Sequence, residues 1–454
     1  MDGMLRRRLW ALAWPAILAN ISSTLVNLVD MIMVGQLGSL AIASVGLGGQ
    51  FSWFMMPVMF AVSTGTLALV ARFVGAKDFE MAERVLEQGI YLAFLTSIPV
   101  LFLGLVWGDD ALRIMGASQD VINLGYSYIR IFFLFYPINF MGFAAYSALR
   151  GAGDTKTPMM LGILTNATNV ILNYLLIFGK FGFPRMEVRG AALASGISIT
   201  IAFMVGLVLF LRGHLVLRLK LNLLFDVDII KRILKIGIPA TIERALFSFY
   251  NFIYISIVTR FGTIALAAHQ VGLRVESMAY MPAFGFNVAT SALVGQSLGA
   301  KKPEEAEKVV HESLKMVSLF MGIMAVVLIA FPKYLVMPFI TRSDPNYAEV
   351  LHLAAIYLLI VGISEVPLGW IFVLGGALRG AGDTKSPMYV TAVSKLLFRI
   401  LPAYILGFGI SLWIIHIKGM GVIAAWLAMS LETFTSAAMF WWLFKRGKWK
   451  SIKV

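Results

Sequence analysis

The phrase ALRGAGDTKTPM at residues 148–159 returns as ALRGAGDTKSPM at residues 377–388, changed only at Thr157/Ser386. Polar phrases of this length rarely recur by chance, so the chain is a duplication with a period of about 229 residues. Each copy follows a long apolar run, which makes the repeated unit a membrane unit. The match extends outward from the phrase. Trp14-Pro15-Ala16 corresponds to Ile238-Pro239-Ala240, and Gly38-Ser39-Leu40-Ala41 to Gly262-Thr263-Ile264-Ala265. Met56-Pro57 corresponds to Met281-Pro282, Val74-Gly75-Ala76-Lys77 to Leu298-Gly299-Ala300-Lys301, and Gly190 to Gly421.

Composition agrees with a membrane chain. Of 454 residues, 59% are hydrophobic and only 14% are charged, where soluble domains carry about a quarter charged residues. The mean hydropathy is +0.84. The chain has no Cys, which excludes disulfides, thiol catalysis and cysteine metal sites. The Arg-rich start resembles a cytoplasmic tail, not a cleavable signal.

A bilayer crossing needs about 20 apolar residues. Twelve stretches reach about that length: roughly 10–34, 48–74, 88–107, 122–147, 158–179, 190–211, 235–260, 271–298, 313–331, 350–374, 388–409 and 421–444. The sequence therefore predicts an all-α polytopic membrane protein of two pseudo-symmetric six-helix lobes. The N-lobe spans 1–211, a basic cytoplasmic linker 212–234, and the C-lobe 235–454. Links between spans alternate in charge, and about 25 of the 38 Lys and Arg fall on one side. They include Arg6–Arg8, Lys77, Arg150, Arg218, Lys301, Arg379 and Lys445. The positive-inside rule puts that side, with both termini, in the cytoplasm. The net charge of +14 is thus a topology signal and not a nucleic-acid footprint. Six spans per half bring both halves in from the same side. Parallel repeats of this kind place a substrate site near mid-membrane and work by rocking.

Charge inside a membrane is costly and usually functional. In the first half, Asp30 is the one deep carboxylate. It ends a stripe of Asn20, Ser23, Asn27 and Asp30, whose steps of three and four share a helix face. The fifth span carries Thr165, Asn169 and Asn173, flanked by Asn166 and Thr168. One carboxylate among neutral oxygens suits a proton or a hard cation such as Na+, so Asp30 is also a candidate sodium ligand. The second half holds Glu243, Arg274, Glu276, Glu365, Lys395, Arg399 and Glu432. Lys395 and Arg399 repel unless neutralised, and Glu243, Glu365 or Glu432 is the expected partner. These groups either couple transport or form a structural ion-pair network. Tyr250, Tyr254 and Met278 are candidate linings for a pocket that takes flat apolar cations.

The GAGD phrase lacks the phosphate-loop spacing and follows no strand. It reads as a tight cytoplasmic turn, with Arg150 and Arg379 near lipid phosphates. Without a nucleotide motif, an ion gradient is the expected energy source.

The paired LRGAGDTK phrases, the LAWP start, NLVDMIMVGQLG at 27–38 and MPAFGFNVATSALVGQSLGA at 281–300 together resemble the multidrug and toxic compound extrusion (MATE) family over essentially the whole chain. The resemblance implies a twelve-helix, two-lobed antiporter that exports organic cations and drugs in exchange for H+ or Na+, with no other cofactor. By it, Asp30 takes the family's N-lobe aspartate position, Asn169 and Asn173 the accompanying positions, and Ser195 a sixth-span hydroxyl. One branch of the family carries a second aspartate where this chain has Asn173, so a two-aspartate switch does not transfer. Glu243 and Glu365 lie on the spans where another branch carries acids. The expected protein is a monomer in the cytoplasmic membrane of a prokaryote, in contact with small organic cations and membrane lipids. The alternative is a flippase for lipid-linked precursors, which would use Arg274, Lys395 and Arg399 to line a cationic cavity. An intramembrane enzyme is disfavoured, since HExxH and Cys are both missing from the sequence.

Overall fold

The computed structural model describes residues 2–220, 224–341, 343, 345–412 and 415–452. The chain is helical nearly throughout. The first repeat runs α1 (Asp2–Gly35), α2 (Ser39–Gly75), α3 (Phe79–Ile114), α4 (Gln119–Leu134), α5 (Tyr136–Ala152), α6 (Lys156–Phe178) and α7 (Glu187–Leu211). The second runs α8 (Val227–Thr259), α9 (Thr263–Ala279), α10 (Met281–Gly299), α11 (Pro303–Ala330), the short α12 (Pro332–Val336), α13 (Tyr347–Gly380), α14 (Lys385–Ser394), α15 (Leu401–Phe408) and α16 (Val422–Lys445). A π-helical segment, Lys395–Ile400, joins α14 to α15. A two-stranded antiparallel hairpin pairs β1 (Gly409–Leu412) with β2 (Ile415–Lys418).

Helix occupies all twelve expected stretches. Among the described residues, nine helices are by themselves long and apolar enough to cross a membrane, and ten if the bent pair α4–α5 counts as one span. That pair turns by 50° at Phe135, just before Pro137. The stretch expected to start at 235 begins earlier, at Val227. There Asp226 accepts hydrogen bonds from the Asp228 and Ile229 N–H groups (3.0 and 3.1 Å) and opens the helix. Of the linker, residues 221–223 lie outside the described residues.

The repeated phrase has one structure in both places. α5 ends as Gly153 turns left-handed (φ 91°), and Asp154 N–H reaches back to the Leu149 carbonyl at 2.8 Å. α13 is followed by the same turn, with Gly382 at φ 87° and Asp383 N–H on the Leu378 carbonyl at 2.8 Å. Glycine suits that conformation because it has no Cβ to clash. The Asp then starts the next helix. Asp154 accepts from the Thr157 N–H (2.9 Å) and hydroxyl (2.6 Å), and Asp383 from the Ser386 N–H (3.0 Å) and hydroxyl (2.6 Å). Thr and Ser both supply that hydroxyl, so the single changed position conserves the bond. The first glycine of each phrase permits close helix contact. A Cβ on Gly151 would lie 2.5 Å from the Leu67 carbonyl oxygen, and one on Gly380 2.1 Å from that of Ser291.

The chain forms two compact units. One comprises Pro15–Ile238 and Gly295–Lys301, and its core gathers Leu69, Val85, Leu86, Ile129, Phe133 and Phe140. The other comprises Met1–Trp14, Pro239–Val294 and Lys302–Lys453, and packs Tyr357, Leu358, Val361, Ala425 and Trp426. Two unit boundaries fall at Pro15 and Pro239, the matched prolines of the repeat. Outward, large apolar side chains such as Leu25, Leu28, Phe102, Trp107 and Val326 stand exposed, as expected of surfaces that meet lipid.

Candidate functional site

In the Pro15–Ile238 unit the polar groups converge on α1, α6 and α7. Asn173 Nδ2 donates to Asp30 Oδ1 at 2.6 Å and to Asn169 Oδ1 at 3.1 Å. Asn169 Nδ2 donates to Ser195 Oγ at 3.1 Å. If the Asn169 amide is turned over, its nitrogen lies 3.0 Å from both Asp30 oxygens and its oxygen accepts from Ser195 at 3.1 Å. Either way, Asp30, Asn169, Asn173 and Ser195 form one connected group. Asn173 Oδ1 is buried without a hydrogen-bond partner, so one more oxygen is available beside the carboxylate. A group with one negative charge, several neutral oxygens and no second acid can hold a proton or a small hard cation.

Not every residue of the sequence stripes joins in. Asn20, Ser23 and Asn27 are exposed on α1, and Asn27 makes no hydrogen bond among the described residues. Asn20, Ser23 and Asn27 thus stand outside the hydrogen-bonded group that Asp30 joins on α6. Thr165 is likewise occupied, donating to the Leu161 carbonyl of its own helix at 3.0 Å. Asn166 was read only as a flanking residue, yet it donates to Ser22 Oγ on α1 at 2.9 Å.

The second unit holds a denser ionic cluster. Glu432 on α16 is the partner of both buried cations, with Arg399 at 2.6 Å and Lys395 at 3.6 Å. Ser436 and Ser394 also donate to Glu432, at 2.6 and 3.1 Å. Lys395 and Arg399 sit at the two ends of the π-helical segment, a rare local winding that α-helical spacing does not foresee. Glu243 does not serve them. It pairs with Arg379, accepting hydrogen bonds of 3.0 and 3.1 Å. That corrects the lipid-phosphate expectation for Arg379. Glu276 is buried and accepts a short hydrogen bond from Tyr357. Glu365 is 1% exposed, and neither carboxylate oxygen has a hydrogen-bond partner.

Of the proposed pocket lining, Tyr254 is sealed in the core. It is 1% exposed, its hydroxyl donates to the Ala425 carbonyl at 2.8 Å, and Arg399 lies over its ring at 5.5 Å. It packs and holds α8 to α16, and it lines no opening. Tyr250 is half-buried, while Met278 and Arg274 are exposed. The sequence offers Glu432 as one of three candidate acids for Lys395 and Arg399. Tyr357 carried no sequence signal, since its bond to Glu276 spans 81 positions.

A duplicated bundle of membrane-length helices, with a carboxylate set among amides in one unit and an ion-paired cluster in the other, has the build of a membrane carrier. The comparisons with known proteins name which one. The MatE family profile matches residues 15–175 and 239–405, two blocks that open on the paired prolines. A Thermotoga maritima protein described as "Probable multidrug resistance protein NorM" is 31% identical over 449 residues, covering 98% of this chain and 93% of the relative. An "FAD transporter" of Shewanella oneidensis is 25% identical over 385 residues, covering 84% and 83%. Among solved structures, a MOP superfamily transporter from Pyrococcus furiosus superposes with a TM-score of 0.88 at 21% identity, covering 99% of this chain and 97% of that one. A Vibrio cholerae MATE transporter gives 0.89 at 20% identity, covering 98% and 97%. At such identities the structural likeness speaks for the fold. The chain belongs to the MatE family, a family of multi-pass membrane transporters and not of enzymes.

Proposed function

We propose that this protein exports amphipathic organic cations and drugs across a prokaryotic cytoplasmic membrane, in exchange for H+ or Na+. Both termini would lie in the cytoplasm, and the two lobes would alternate in access. The observation that carries this reading is the connected group Asp30–Asn173–Asn169–Ser195, with one buried oxygen of Asn173 left unbonded. An ion arriving at Asp30 displaces the Asn173 N–H from the carboxylate and gains the free Asn173 oxygen in its place, so it favours the arrangement in which α1 and α6 share it. That gives the ion a differential hold on two arrangements, which any coupling requires. Glu365 is the second coupling candidate, since its two free oxygens can take a proton or a cation. The likeness to the Thermotoga maritima multidrug resistance relative supports drug export as the role.

The flippase alternative asks for a cationic cavity. Against it, Lys395 and Arg399 share Glu432, which cancels one of their two charges, and Arg379 is paired with Glu243. The proposal is tested by producing the protein in bacterial cells stripped of their own efflux pumps. Tolerance to a flat aromatic cation such as ethidium should rise with the native chain and return to the empty-cell level with Asp30→Asn. Equal tolerance with Asp30→Asn at equal membrane abundance would remove Asp30 from the mechanism.

A further inference from the structure

We propose that the Ser22–Asn166 hydrogen bond is a positioning contact that sets how strongly Asp30 holds its coupling ion. The inference rests on the ion-coupled reading of Asp30. It starts from how thinly α1 is packed. From Ile17 to Val34, only Val34 is buried; Leu18, Ile21, Leu25, Leu28, Met31 and Ile32 are all exposed. From Ser22 on, the half-buried positions Ser22, Val26, Val29 and Met33 step by four, three and four, with Asp30 beside Val29, and form a single narrow seam.

Two polar bonds pin that seam to α6. Asn173 reaches Asp30 at 2.6 Å, and Asn166 reaches Ser22 at 2.9 Å. Along α1 the anchors are eight residues apart, about 12 Å, and along α6 seven residues, about 10.5 Å. Nearly equal spans match two helices running the same way. Asn166, Asn169 and Asn173 follow steps of three and four, so one face of α6 serves both anchors. Only the Asp30 anchor is exposed to ion binding. The Ser22 anchor is neutral, lies away from the ion group, and is held whatever occupies Asp30. It therefore fixes how often α1 stands where Asp30, Asn169 and Asn173 share one ion. A ligand whose competent state is only partly populated binds more weakly by that fraction. Breaking the Ser22 anchor must then weaken ion binding without touching an ion ligand.

The test uses the full chain in proteoliposomes at saturating organic cation. The ion level outside that gives half-maximal efflux is read separately from the maximal rate. Ser22→Ala and Asn166→Leu should each raise the half-maximal ion level about three- to tenfold, the size expected of one side-chain hydrogen bond between membrane helices. The maximal rate should stay near native. The double variant should shift no further than either single one, because both remove the same bond. Ser22→Thr keeps the hydroxyl and should restore the native midpoint. An unmoved midpoint, a fall in maximal rate alone, or fully additive shifts would overturn the proposal. Should Asn166→Leu fail to fold, Ser22→Ala and Ser22→Thr decide the matter. Efflux by the native protein that ignores both ions would overturn the ion-coupled reading itself, and this inference with it. Ion-dependent native efflux with unmoved variants would overturn this inference alone.

Discussion

Asn173 on α6 holds Asp30 on α1 through a hydrogen bond of 2.6 Å, and the same amide keeps its own oxygen buried and unbonded. One residue thus both restrains the carboxylate and offers a ligand beside it. Asn173→Leu removes both. A hydrogen bond to a charged group contributes about 1.5–3 kcal/mol, so the half-maximal ion level should shift by roughly ten- to a hundredfold, upward for Na+, which loses an oxygen ligand, and downward for H+, which loses a competing donor. The measurement is efflux rate against ion level in liposomes, and an unchanged midpoint would exclude Asn173 from the site.

Glu432 answers two buried cations at once. Glu432→Gln leaves Lys395 and Arg399 without their carboxylate, and breaking a buried pair costs about 3–5 kcal/mol. Lys395→Met should be milder, because Arg399 keeps its 2.6 Å contact. Thermal unfolding in detergent should therefore rank native, Lys395→Met, then Glu432→Gln. The reverse order of the two variants would contradict the pairing.

Glu365 makes the opposite prediction. Its oxygens have no partner to lose, so Glu365→Gln should leave the unfolding temperature near native or higher. Ion-driven efflux should nonetheless fall. A large drop in unfolding temperature with intact efflux would make Glu365 a packing residue only.

The two turns should behave as one motif used twice. Asp154→Ala and Asp383→Ala each remove a helix-start acceptor, at a cost of about 1 kcal/mol. They lie in different repeats, so their effects should add. A double variant no less stable than either single one, by thermal unfolding, would contradict this.

Much of this arrangement was open to a sequence reader because it is periodic or repeated. The duplication announced two matched halves. Apolar length found the helices, a lone acid among amides pointed to Asp30, Asn169 and Asn173, and the family resemblance added Ser195. What escaped depended on rotation and pairing over long separations. The Asn20–Asn27 stripe is a true helical face, but nothing local says whether it turns toward α6. Three acids competed for Lys395 and Arg399, and tertiary packing chose Glu432 through a π-helical segment that α-helical periodicity cannot foresee. Tyr254 looked like a pocket aromatic because its type suits one. Its bond to the Ala425 carbonyl, 171 residues on, places it in the core. Ser22 went unread because a single hydroxyl among apolar residues gives no pattern.

The most direct test is efflux of a fluorescent organic cation from proteoliposomes, with a proton gradient and a sodium gradient imposed one at a time. Efflux driven by one of them, and lost in Asp30→Asn protein reconstituted to the same density, is the expected result. Efflux that responds to neither gradient, or that persists unchanged in Asp30→Asn, would contradict an ion-coupled carrier built around Asp30.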